Sequence, residues 1–195
     1  MMPFDLTDLK SLPPCCRQYA PIIEKVAHMK AKDERIAYLT IDERPVSSGK
    51  PQRRGGLHVE SPGFLPVHHW GGGMMMRNQK ICGGIFMASN VSASTAIWNC
   101  KIVDRDGSII GAHGNIERMR SLLGPADIKL NAGELVWITD KTPHESLPLH
   151  QGTVRQYIRV VTGDVTAWFA DHSTPNPCGI LPPDNVRIVT GNKFD

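Results

Sequence analysis

The chain carries five cysteines, and no two of them have the C-x-x-C spacing, which removes the usual thiolate zinc sites. Cys15 and Cys16 are adjacent, while Cys82, Cys100 and Cys178 are scattered. Such an odd set fits a reducing compartment better than a disulfide framework. No apolar run approaches the length that crosses a bilayer. Asp5, Asp8 and Lys10 interrupt the first ten residues, which is unlike a secretory leader. Basic charge is thin as well: the net charge is +3, the pI is near 8.6, and Arg53-Arg54 is the one basic pair that stands out. That balance does not make a nucleic-acid surface. The expectation is a cytoplasmic protein that meets neither membrane nor nucleic acid.

What is present points to short strands. At 195 residues the chain is long enough for one domain with a real core, and its 18 glycines and 15 prolines imply many turns. Helical spacing of Ile22, Ile23, Val26 and Met29 predicts a helix over 19–32, with Pro21 tolerated in its first turn. Strands are predicted over 35–41, 56–60, 84–88, 94–103, 108–112, 127–130, 133–139, 154–162 and 165–169. Asp104-Arg105-Asp106-Gly107 reads as a hairpin turn, and 154–162 is expected to pair with 165–169 across Gly163-Asp164. A short helix is expected over 115–123, with Asn115 as its N-cap. The predicted organisation is an N-terminal helical segment over 1–33, a β core over about 35–169 and a wrapping tail over 170–195. The fold class is mainly β with flanking helices, a sandwich or barrel.

The chemistry centres on Arg53-Arg54-Gly55-Gly56-Leu57-His58-Val59-Glu60. Residues i and i+2 of a strand share a face, so His58 and Glu60 project side by side. That is two-thirds of a 2-His-1-carboxylate set, which binds one face of a non-haem Fe(II) and leaves the other open. His144, in Thr142-Pro143-His144-Glu145-Ser146, is the preferred third ligand, and His113 is a second candidate. Of His68 and His69, at most one could join, because neighbours on an extended chain point opposite ways. The strand over 154–162 places Arg155, Tyr157, Arg159 and Val161 on one face, which is either an anion-binding interior or a solvent-facing side. An arginine inside a barrel calls for an anion, and its fork suits a carboxylate. Cys82 and Cys100 are expected as small core residues, as are Trp98, Trp137 and Trp168. His172 is read as structural, and the glycine and methionine run over 71–76 as a candidate lid.

His58-Val59-Glu60, the Ala132–Ile138 segment leading to His144, and Arg155 eleven positions further on together resemble the Fe(II)/2-oxoglutarate-dependent oxygenase superfamily. The resemblance covers roughly 35–169. It implies a double-stranded β-helix (a jelly roll, cupin-like), with iron on His58, Glu60 and His144. It also implies that Arg155 holds the distal carboxylate of 2-oxoglutarate, with Tyr157 where the family often has Ser or Thr. Glu60 stands where the family usually has Asp. The implied reaction couples decarboxylation of 2-oxoglutarate to hydroxylation of a small-molecule or peptide substrate. Two other readings share the barrel: a cupin-type metalloenzyme that does not use 2-oxoglutarate, and a non-catalytic barrel that binds a small molecule.

Overall fold

The computed structural model describes residues 1–30, 35–60, 70–76, 78, 80–163 and 165–191. His68 and His69 lie outside the described residues. In chain order the elements are β1 (Met2–Asp5), α1 (Ala20–Met29), β2 (Ile36–Val46), β3 (Met74–Met75), β4 (Ile81–Cys82), β5 (Gly84–Ser89) and β6 (Thr95–Ile97). They continue with α2 (Arg120–Leu123), β7 (Ile128–Lys129), β8 (Val136–Ile138), β9 (His144–Ser146), β10 (Thr153–Thr162), β11 (Ala167–Phe169) and β12 (Arg187–Val189). The described chain is mainly β with flanking helices, as the turn-rich composition predicts.

Five strands form an antiparallel sheet in the order β1-β2-β10-β5-β8. Both of its faces are covered. Ala37, Leu39, Phe86, Ala88, Ile158 and Val160 pack toward α1, whose Ile23 and Val26 are fully buried, each contributing roughly 1.5–3 kcal/mol. On the opposite face, Tyr38, Ile85, Met87, Tyr157 and Val161 meet Ile97 of β6. A smaller sheet runs β7-β6-β9. Arg155 of the large sheet hydrogen-bonds Thr95 on β6 and Ser146 on β9, which ties the two sheets together across the interior.

Several expectations change in the folded chain. The first residues are not helical throughout: β1 is a strand, and all four of its residues are buried. Burial on both faces erases the polar–apolar alternation that would have marked it. β2 runs on to Val46, through Pro45. Beyond Leu39 it has no β1 partner, so among the described residues Pro45 lies on an edge, where a missing amide is tolerated. The expected strand over 94–103 shortens to β6, and 108–112 forms no strand. Here Asp104 Oδ2 accepts from the amides of Ile109 and Ile110 at 3.1 and 2.7 Å, so a side chain takes the donors a ladder would use. The 115–123 helix appears as a 3-10 turn running into α2, and Asn115 Oδ1 accepts from the Glu117 amide at 2.8 Å.

β11 does not pair with β10. It lies parallel to β12, so the tail supplies a strand as well as a wrapping segment. Asn176 pins that tail by donating to the carbonyls of Pro3 and Ser11 at 2.8 and 2.9 Å. Cys100 is exposed and Cys82 half-buried, so neither is a core residue. Trp98 and Trp168 are buried and Trp137 is partly so. Within the 71–76 run, Met74 and Met75 pair with Cys82 and Ile81.

Candidate metal centre

The segment carrying His58 and Glu60 forms no continuous ladder. His58 instead makes single antiparallel bridges to Asn115 and to His144. The His58 amide donates to the His144 carbonyl at 3.1 Å, and the His144 amide to the His58 carbonyl at 2.9 Å. Residues so paired have side chains on one face, and the two rings sit 4.5 Å apart between centroids. The Glu60 amide donates to Asp140 O at 2.9 Å, so one loop, 139–144, aligns both the carboxylate and the second imidazole.

Both rings are fixed in the same way. His58 Nδ1 lies 2.7 Å from Gly56 O and His144 Nδ1 lies 2.9 Å from Thr142 O. A carbonyl only accepts, so each Nδ1 donates and each Nε2 is the ring nitrogen turned toward the cavity. This backbone anchoring of Nδ1 is the outer-shell arrangement typical of metal-binding histidines. Nε2 of His144 is 3.7 Å from Glu60 Oε1. One ligand atom from each of His58, Glu60 and His144 lies within 4.8 Å of the others. Burial, aided by neighbouring His144, pushes the His58 imidazole down to about 3, so it stays neutral and available as a ligand.

A cavity of about 100 Å³ opens on this group, with Trp70, Tyr157, Arg159 and His113 in its walls. His113 therefore reaches the cavity but not the converging set, which among the described residues is His58, Glu60 and His144. His172 lies on an exposed turn.

Arg155, Tyr157 and Arg159 are all buried, so their shared face is interior. Arg155 is completely covered. Its Nε donates to Ser89 Oγ, Nη1 to Ser146 Oγ and Nη2 to Thr95 Oγ1, at 3.0, 3.1 and 3.0 Å. Its guanidinium also lies 5.4 Å from the Tyr157 ring centroid. Burial lowers the pKa of Arg155 and raises that of Tyr157. Thr95, Ser146 and Tyr157 line the cavity, and Arg155 stands behind them. The sequence reading missed Arg159 as a partner of Glu60: its Nη1 is 2.5 Å from Glu60 Oε1. Burial works against the Arg159 charge, but Glu60 and Tyr157 more than offset it and its pKa is raised. The face shared with Arg155 was the available signal.

No family model, curated protein or solved structure matches this chain. The assignment of chemistry therefore rests on the side chains. Two imidazoles anchored through Nδ1 and a carboxylate, gathered at the end of a cavity, make a donor set suited to a divalent first-row metal.

Proposed function

We propose that the protein is a non-haem Fe(II)- and 2-oxoglutarate-dependent oxygenase on a double-stranded β-helix, hydroxylating a small-molecule or peptide substrate. The observation that carries this reading is the pairing of His58 with His144, each ring held through Nδ1, beside Glu60. The strand order supports the fold assignment. Beyond β1, the large sheet runs β2-β10-β5-β8. The His58 segment extends the small sheet to give His58-β9-β6-β7. Apart from β3 and β4, the chain switches layer at each step from β2 to β10 except at the antiparallel pair β6–β7, an order that a jelly roll also has.

His58, Glu60 and His144 would hold the iron at the end of the cavity. When bound, the metal and 2-oxoglutarate supply the oxidising chemistry; the chain supplies binding and orientation. Arg159 orients Glu60. Tyr157, Thr95 and Ser146 offer hydroxyls to an entering carboxylate, and the Arg155 charge behind them favours an anion there. Trp70 gives the cavity an apolar wall.

One observation favours the cupin-type reading without 2-oxoglutarate: all three Arg155 donor nitrogens are already engaged by hydroxyls. Anaerobic titration separates the two. Fe(II) followed by 2-oxoglutarate should give a weak visible charge-transfer band and oxygen-dependent succinate. Metal binding that 2-oxoglutarate leaves unaltered supports the cupin-type reading, and absence of metal binding leaves a small-molecule barrel.

A further inference from the structure

A second and larger cavity, about 420 Å³, adjoins the first, and the two share Arg53, Arg54, Trp70 and Arg159 in their walls. Thr40, Arg44, Gln52 and Phe169 line only the second. Its size falls in the range of small-molecule sites.

Two features of its walls point to a ligand. The first is charge. Arg44 and Arg53 share a single carboxylate, Asp42, at 3.2 and 3.1 Å. Arg159 pairs with Glu60, and Arg54 bonds the His113 carbonyl. Among the described residues, these four guanidiniums thus outnumber the two carboxylates that pair with them. The second is unmet hydrogen bonding. Among the described residues, Thr40 Oγ1, Gln52 Oε1 and Arg159 Nε are buried without a hydrogen-bond partner, and all three residues line this cavity. Buried polar groups are rarely left unpaired, and Gln52 and Arg159 are almost wholly covered. Arg159 Nε is a donor and calls for an acceptor. Gln52 Oε1 is an acceptor and calls for a donor. Trp70 and Phe169 pack edge to face at 5.6 Å and give the cavity an apolar wall.

We propose that this cavity binds the substrate of the metal centre, and that the substrate is a small organic oxyanion, a carboxylate or a phosphate ester, that also carries a hydroxyl or amine. The oxyanion faces the arginines and Arg159 Nε, the donor group faces Gln52 Oε1, and the carbon frame lies against Trp70 and Phe169. Arg159 then touches both the Glu60 ligand and the bound molecule, which couples substrate occupancy to the metal site. The assignment as substrate rests on the oxygenase reading; the oxyanion site itself does not.

The test uses the full chain, first metal-free and then loaded with Co(II). Calorimetric titrations employ 4-hydroxybenzoate, 4-hydroxyphenyl phosphate and the neutral 4-hydroxybenzamide. One-to-one binding of either oxyanion, with the benzamide at least about tenfold weaker, is expected, and the stronger of the two identifies the headgroup. Arg44→Gln and Thr40→Val should each weaken that binding several-fold or more. Thr40→Val should leave the melting temperature unchanged or higher, because it removes an unpaired buried hydroxyl. Equal binding of the benzamide, no binding of either oxyanion, or wild-type affinity in both variants overturns the proposal. The visible Co(II) spectrum, recorded on the same samples, reports the metal site separately. A spectrum of free Co(II) alone defeats the oxygenase reading while leaving the oxyanion site standing; a protein-bound Co(II) spectrum without oxyanion binding defeats only the cavity assignment.

Discussion

Arg159 Nη1 lies 2.5 Å from Glu60 Oε1, and the same oxygen is 3.7 Å from His144 Nε2. One largely covered carboxylate thus stands between a guanidinium and an imidazole. Removing the guanidinium strips Glu60 of its compensating charge; breaking a fully buried pair costs about 3–5 kcal/mol, and this part-buried one falls somewhat below that. Arg159→Met should therefore destabilise the metal-free protein strongly. A divalent cation restores a positive neighbour, so Zn(II) should raise the melting temperature of this variant more than that of the wild type. Equal metal-induced shifts in both proteins would show that Glu60 does not reach the metal.

His58 and His144 are anchored alike, each with Nδ1 tied to a carbonyl two residues back. His58→Ala and His144→Ala should each remove most metal affinity, read as loss of the Co(II) visible band. For the wild type, metal at about a hundred times its Kd should add about 2.7 kcal/mol to unfolding, and chelation should reverse the gain. Neither alanine variant should show that gain in thermal melts.

Arg155 holds Ser89, Thr95 and Ser146 at once, from a fully buried position. Arg155→Ala leaves a void and unpairs those hydroxyls, at a cost of about 2–5 kcal/mol. Arg155→Lys keeps the charge but loses the planar fork. On the oxygenase reading, Arg155→Lys should raise the 2-oxoglutarate concentration needed for succinate formation while leaving Co(II) affinity near wild type. An unchanged 2-oxoglutarate requirement would remove Arg155 from the cosubstrate site.

Burial holds the His58 imidazole at about 3, against about 6.5 for an exposed histidine. The folded-state value is depressed, so the unfolded chain binds the proton more readily. The stability from this group is therefore complete above about pH 6.5 and is lost progressively as pH falls toward 3, by about 1.4 kcal/mol per unit at most. Denaturant melts of the metal-free protein between pH 7 and pH 4 should show this decline. His58→Gln should flatten it.

Gly84 opens β5 at φ +91, and a Cβ there would lie 2.1 Å from Trp137 Nε1 and 2.9 Å from Ile138 O. Trp137 Nε1 donates to Gly83 O at 3.1 Å, so the indole cannot withdraw without losing that bond. Gly84→Ala should cost at least about 2 kcal/mol from backbone strain and the clash, measured as a lower denaturant midpoint.

Much of the architecture was legible because it is local. Ile23 and Val26 mark the buried face of α1 by their spacing, and β10 declares itself by a long β-branched run. The elements that escaped are those whose signal is suppressed by context. β1 is buried on both sides, and β12 sits in a proline-rich tail where it acquires strand character only against β11. The 104–112 stretch was misread because Asp104 diverts two backbone amides from a ladder.

For the site, the sequence by itself determined that His58 and Glu60 are neighbours and that Arg155, Tyr157 and Arg159 share a face, because a two-residue period is a property of the extended backbone. Only the tertiary structure decided that His144, 86 positions from His58, is its cross-strand partner, that Arg159 takes Glu60, and that Arg44 and Arg53 divide one aspartate. The hydrophobic pattern of a strand fixes which face turns inward, but which distant strand becomes its neighbour is settled by the packing of the two sheets, and those pairings join segments far apart in the chain.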